Sequence, residues 1–233
     1  MKSNDPVVDY MSYNNKSSMY LFPCTNVEIE NIVRDLSNTK SICLDGFSMQ
    51  VIKSIISNIS VPLPKSFNSS LIASIFPDYL KHAKVIPVFK CDDKSIINNY
   101  RLISVLPIFS KVFEKLMYNR IFSFVDKFKI LCDNQYGFRK QHSTYMALIN
   151  IIDQISRGID KGRFTIGIFL DLSKALDTID HEILLRKLEM YGIRGLALSW
   201  FGVSIDNCMS NSVFITCVVP QGSILGPCFF YYI

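Results

Sequence analysis

Nowhere in the 233 residues do two cysteines stand in a Cys-x-x-Cys pair, although there are seven, at positions 24, 43, 91, 132, 208, 217 and 228. An odd, scattered set argues against a zinc site or a disulfide framework and for reduced thiols inside a cell. The three histidines, His82, His142 and His181, are too dispersed to suggest a metal cluster. No run of about 18 continuous apolar residues occurs, so no membrane-spanning helix is expected. The uncharged stretch 207–233 comes nearest, but Asn, Ser, Thr, Gln, Pro and Gly interrupt it and buried core is the better expectation. Residues 1–18 lack both periodicity and the apolar centre of a secretion signal, and read as a loose arm. Internal repeats and low-complexity tracts are missing too. The expected location is intracellular, with nucleus and cytoplasm not distinguished.

What is present is an apolar, globular composition: 49% hydrophobic and 19% charged residues, enough chain for one large domain or two small ones. The formal charge of +5 is unevenly spread. Residues 81–140 hold twelve Lys or Arg against five Asp or Glu, and the rest of the chain is slightly acidic. A basic segment of this kind suits a phosphate-rich partner, and equally an ordinary solvated surface.

Thr25 and Glu28 form a Thr-x-x-Glu capping box that opens a helix, "NVEIENIVRDLS". After Gly46, the spacing of Met49, Ile52, Ile55, Ile56 and Ile59 predicts a second helix, broken by "VPLP" at 61–64. A third short helix is expected near 66–76, stopping at Pro77. "KVIPVFK" (84–90) reads as a strand kept at an edge by Pro87. A long amphipathic helix is expected from Pro107 to Lys127 and another over 143–157. "TIGIFL" (165–170) carries no charge, and 163–171 reads as a buried strand ending on Asp171. "HEILLRKLEMYG" is a helix closed by Gly192, with Asp177 and Asp180 as loop or N-cap residues before it. "VFITCVV" (213–219) reads as a further apolar strand. Helices with a few strands predict an α+β fold.

Five motifs occur in order: "AKVIPVFK", "NNYRLISVLP", "DNQYGFRKQHST", "FLDLSKALDTIDHEILLRKLEMYGI" and "VPQGSILGP". Together with "TKSICLDGFSMQVIKSI" and "SIFPDYLKHAKVIPVFK" upstream, the chain resembles, over about 18–233, the reverse transcriptase domain of non-LTR (LINE-like, jockey-type) retrotransposons. The resemblance implies a right-hand polymerase, here helix-rich with a small antiparallel sheet. Residues 19–160 would be its fingers side and 161–233 part of its palm, the thumb being absent. Its implied partners are an RNA template, a DNA primer and deoxynucleoside triphosphates. Its implied cofactor is Mg²⁺, two ions of which clamp the attacking and leaving oxygens about 3.5–4 Å apart. Asp171 becomes a catalytic, metal-binding carboxylate, with the Leu172 carbonyl beside it as a further ligand. Lys90 and Arg101 resemble the cations that meet the triphosphate, a task for which a guanidinium fork is suited. Gln221 and Gly222 resemble the loop lying against nucleotide and template, and Phe138 with Arg139 the template-side motif. His181 and Lys174 are expected to have no such role.

The sequence also departs from the family. Leu176 stands where an aromatic residue normally lies under the incoming sugar, Val218 where Gly precedes Val-Pro-Gln-Gly, and Leu102 where Pro follows Tyr-Arg. The segment between Phe201 and Cys217 is shorter than usual. No Ala-Asp-Asp, the hairpin carrying the remaining metal ligands, occurs in these residues; the one Asp-Asp is Asp92-Asp93. A truncated copy, or a piece of a longer protein, is therefore expected, with Mg²⁺ not productively bound and polymerisation failing on these residues alone. The alternatives are a non-catalytic nucleic-acid-binding remnant and a relic without function. The apolar strand 163–171, left without its covering hairpin, is expected to be an aggregation liability.

Overall fold

The computed structural model describes residues 14–38, 46–172, 175, 178–206, 209–210, 213–214 and 221–230. Their order is α1 (Asn26–Asp35), α2 (Met49–Ile59), α3 (Pro62–Ala73), α4 (Asp78–Lys81), β1 (Lys84–Phe89), β2 (Tyr100–Val105), α5 (Ile108–Lys127), α6 (Thr144–Asp160), α7 (His181–Tyr191), α8 (Leu196–Asp206), β3 (Met209–Ser210), β4 (Val213–Phe214) and α9 (Leu225–Phe230). The protein is thus helix-rich, with the six-residue antiparallel pair β1–β2 and the two-residue pair β3–β4. Among the described residues no helix is long and apolar enough to cross a membrane.

Local chemistry sets the helix ends. The Thr25 hydroxyl accepts from the Glu28 amide at 3.2 Å and so caps α1, the first half of the expected capping box, while the Glu28 carboxylate pairs with Arg120. Asp180 caps α7, its Oδ1 accepting from the Ile183 amide at 3.0 Å. Gly192 closes α7 at φ +103, and a Cβ there would stand 2.3 Å from the Ser17 carbonyl, so no other residue fits. That contact belongs to a strap. The Asn15 amide donates to Met190 O and the Met19 amide to Gly192 O. Residues 14–18 of the expected loose arm are therefore tied to the end of α7.

The core gathers on α5, which packs against α1, α4 and α9. Its Val112, Phe113, Leu116, Met117, Ile121 and Val125 are fully buried. Phe113 stacks on Phe67 of α3 with centroids 4.2 Å apart, and meets Trp200 of α8 edge-on at 5.0 Å. The Trp200 indole N–H donates to the Ser70 hydroxyl, which donates in turn to Ile75 O, so the polar atoms in this cluster are paired. Across the surface, Arg120 of α5 donates to Phe22 O and pairs with Glu28 of α1 at 3.2 Å.

Several elements differ from expectation. "VPLP" does not separate two helices by a loop: α3 begins at Pro62, because a proline in the first turn gives up an amide that has no helical partner anyway. β2, α8 and α9 appear where the pattern announced nothing. The run 163–171, expected as a buried strand, is neither paired nor buried: with Leu172 it forms no regular structure, and Phe164, Ile166, Ile168, Phe169, Leu170 and Leu172 are 66–101% exposed. A strand exists only through ladder bonds to a neighbour, and no described segment supplies them. Of the strand expected over 213–219, Val213–Phe214 is β4 and 215–219 lies outside the described residues.

Candidate nucleotide- and nucleic-acid-binding face

The β1–β2 hairpin sets the geometry. Val88 faces Arg101 and Phe89 faces Tyr100, and the Lys90 amide continues the ladder by donating to Asn99 O at 2.8 Å. Directly opposed residues share a face and alternate residues return to it. Lys90, Val88 and Arg101 therefore lie on one face, with Lys90 and Arg101 as diagonal neighbours. Both are exposed. Their charges converge on Cys91, whose thiol is nonetheless held above its ordinary value, chiefly by its hydrogen bond to Asp92. The turn between the strands is fixed by Asp93, whose carboxylate is kept below its usual range by the Ser95 amide it accepts from, and by Tyr100, whose hydroxyl donates to Lys94 O.

The loop carrying Gln221 and Gly222 docks on the free edge of this hairpin. The Ser104 amide donates to Gln221 O at 2.7 Å. Gly222 has φ +111, and a Cβ there would stand 2.6 Å from Ser104 O and 3.5 Å from Ile103 Cγ2. Ile103 shares its face with Arg101. The structure thus brings four expected residues, Lys90, Arg101, Gln221 and Gly222, around β2 from sequence positions up to 132 apart.

The residue that holds this loop from behind was not anticipated. Glu114 is buried on α5, and its Oε2 accepts from the Ile224 amide at 2.7 Å. Ser223 Oγ accepts from the Gly226 amide at 2.7 Å, completing the start of α9. Burial raises the Glu114 carboxyl from 4.5 to about 7, against the opposing pull of the Ile224 and Leu225 amides and of Lys111. A lone Glu inside the otherwise apolar stripe of α5 was its signal in the sequence.

Phe138 and Arg139 lie in the loop before α6. The Arg139 guanidinium donates to Cys132 O at 3.1 Å, closing its own loop, while Phe138 is 72% exposed at φ +52. Two cations and two rings of α5 and this loop, also not anticipated, stand beside it. Lys115 lies 4.4 Å from the Tyr118 ring centroid, Lys140 lies 5.8 Å from that of Phe122, and the two rings stack at 6.0 Å and 17°. The i, i+3, i+7 spacing of Lys115, Tyr118 and Phe122 was legible as one helix face.

Asp171 and Leu172 make no bond to this face among the described residues. Both sit exposed at the end of the unpaired run 163–172, and among the described residues no hydrogen bond or ion pair ties Asp171 to Lys90, Arg101 or Gln221. Leu176 and Asp177 lie outside the described residues. Among the described residues no three His, Cys, Asp or Glu side chains come together as a metal site. One exposed carboxylate does not fit a pair of metal ions, which need convergent oxygen ligands.

Residues 90–233 match the reverse transcriptase (RNA-dependent DNA polymerase) family. The chain is 30% identical over 230 residues to the RNA-directed DNA polymerase from mobile element jockey of Drosophila melanogaster, covering 95% of this chain and 25% of that protein. It is also 30% identical over 214 residues to the jockey polymerase of Drosophila funebris, covering 88% of this chain and 23% of that protein. The chain spans about a quarter of the length of the curated relatives it matches.

Proposed function

Because the chain belongs to the reverse transcriptase (RNA-dependent DNA polymerase) family, we propose that it contributes the nucleotide- and template-handling part of a polymerase that copies RNA into DNA from a primer. The observation that carries this reading is the pair Lys90 and Arg101 on one face of the hairpin whose strand β2 also receives the Gln221–Gly222 loop, at Ser104. Two cations on one strand face supply charge for a triphosphate, the guanidinium in a fork that matches phosphate oxygens. The glycine lets a backbone approach where a side chain would block it. In this reading 19–160 form the fingers side and 161–233 part of the palm, with Phe138 and Arg139 toward the template.

Divalent metal supplies the charge neutralisation and oxygen activation that phosphoryl transfer needs in reverse transcriptases, with Mg²⁺ as the proposed ion. Asp171, with the Leu172 carbonyl, is the proposed contribution of this chain to that metal set. The binding and orientation of nucleotide and template are the proposed share of Lys90, Arg101, Gln221 and Gly222. Leu176 is proposed to lie under the sugar, where its aliphatic side chain discriminates ribose from deoxyribose less sharply than a flat ring does.

The test is binding of a primer–template duplex and of deoxynucleoside triphosphate to the 233-residue chain, with Lys90→Ala and Arg101→Ala as variants. Affinity should fall steeply with salt, as phosphate neutralisation requires, and fall further in both variants. Salt-independent binding, or binding indifferent to both substitutions, rules the reading out.

A further inference from the structure

A cleft of about 230 Å³ opens between α5, the loop 131–138 and α9. Its walls include Tyr118, Phe122 and Phe138, with Ile224 and Pro227 of α9 closing one side and Gln135 as the single amide. No carboxylate lines it among the described residues. It is smaller than the roughly 300 Å³ at which sites for drug-sized ligands begin, so it admits one planar ring system rather than a folded segment.

Two ammonium groups border the same rings, Lys115 over Tyr118 and Lys140 over Phe122. Burial, and after it repulsion from Lys140, hold Lys115 below its ordinary value; Asp35 opposes the effect. Like charges gathered on the rim of an aromatic cleft are complementary to an anion that carries a flat apolar part. Phe138 adds a ring held toward solvent in a backbone conformation that bulky residues rarely adopt.

From this geometry we infer that the cleft is a base-binding subsite for single-stranded nucleic acid, one base entering against Tyr118, Phe122 and Phe138 while Lys115 and Lys140 take the adjoining phosphates. Stacked rings with cations beside them are how single strands are held without sequence readout. The subsite rests on the nucleic-acid reading above and extends it to four residues, Lys115, Tyr118, Phe122 and Lys140, outside the motifs. Through Ile224 it adjoins the loop that docks on β2 at Ser104.

The experiment is fluorescence anisotropy of a labelled 12-nucleotide single strand, as RNA and as DNA, each intact and with a central abasic position. Proteins compared are the 233-residue chain, Phe138→Ala, the pair Lys115→Gln with Lys140→Gln, and Arg101→Ala. Phe138→Ala should weaken binding of the intact strand roughly 5- to 100-fold and bring it near that of the abasic strand. The lysine pair should lower the salt slope by about 2. Both variants alter exposed or half-buried groups, and Phe138→Leu, which keeps the bulk but loses the flat ring, should fall between wild type and Ala. RNA and DNA tighter than one another in either order support the subsite, since stacking serves both. Equal loss for intact and abasic strands, displacement by polyglutamate as effective as by the unlabelled strand, or binding unchanged in the lysine pair overturns it. If only Arg101→Ala weakens binding, the hairpin reading stands and the subsite falls. If only the cleft variants weaken it, the subsite stands and the hairpin reading falls.

Discussion

The Ile224 amide donates to Oε2 of Glu114 at 2.7 Å, across 110 residues of chain, and this bond seats the start of α9 on the side of α5. Its strength depends on a carboxyl group whose proton is held more tightly in the folded protein than in the unfolded chain.

That difference fixes a pH dependence. Folding raises the Glu114 carboxyl from 4.5 to about 7, so between those values the folded form keeps a proton that the unfolded form has lost. The contribution to stability is fully present below about 4.5, declines as pH rises, and is gone above about 7, a change of a few kcal/mol. Denaturant midpoints of wild type and Glu114→Gln, measured from pH 5 to 8, should diverge in slope, the Gln variant lacking this decline. Parallel curves contradict the assignment. Glu114→Ala leaves the Ile224 amide without its acceptor and should cost about 1–3 kcal/mol at low pH, the difference from wild type narrowing as pH rises toward 7.

Gly222→Ala should be among the most damaging small changes. The new methyl would meet Ser104 O at 2.6 Å, at a φ of +111 that L residues avoid, so the loop must leave β2. A loss of about 2 kcal/mol or more is expected by thermal melting. An unchanged midpoint shows that the loop is not held on the hairpin.

Asp171→Asn should leave stability unchanged within about 0.5 kcal/mol, because the carboxylate is exposed and makes no bond among the described residues. A clear shift in melting midpoint means that the group is engaged in the fold. In a longer polymerase that carries these residues together with the remaining metal ligands, the same change should abolish Mg²⁺-dependent primer extension, and extension that survives contradicts the proposed metal role.

Replacing Ile166 and Ile168 by Ser should reduce self-association without lowering the melting midpoint. Both are at least 80% exposed in a run of apolar residues with no partner strand among the described residues. Light scattering against concentration separates the outcomes; unchanged association shows that this run is not the sticky surface.

Local chemistry explains which elements could be read from the sequence. Caps at Thr25, Asp180 and Gly192 depend on residues three or four apart, so α1 and α7 are legible within a short window. α8 and α9 are apolar nearly all round and carry no periodic contrast, and β2 lies in a motif whose pattern alternates weakly. The run 163–172 misled because apolar content reports a capacity to be buried, while a strand also requires a neighbour. Motif order named Lys90, Arg101, Gln221 and Gly222, but the pairing of the two cations on one hairpin face and the docking of the loop on the free edge of β2 follow from register and tertiary contact, which no window of sequence contains. Glu114 and the rings of Tyr118 and Phe122 were present as a polar break and a helical spacing, without anything local to say what they would touch.

The loop at 221–224 is fastened at both ends, to β2 through Ser104 and to α5 through Glu114. A tilt of the hairpin therefore cannot leave the loop behind. Amide exchange at Ile224 is therefore a gauge of whether that fastening holds.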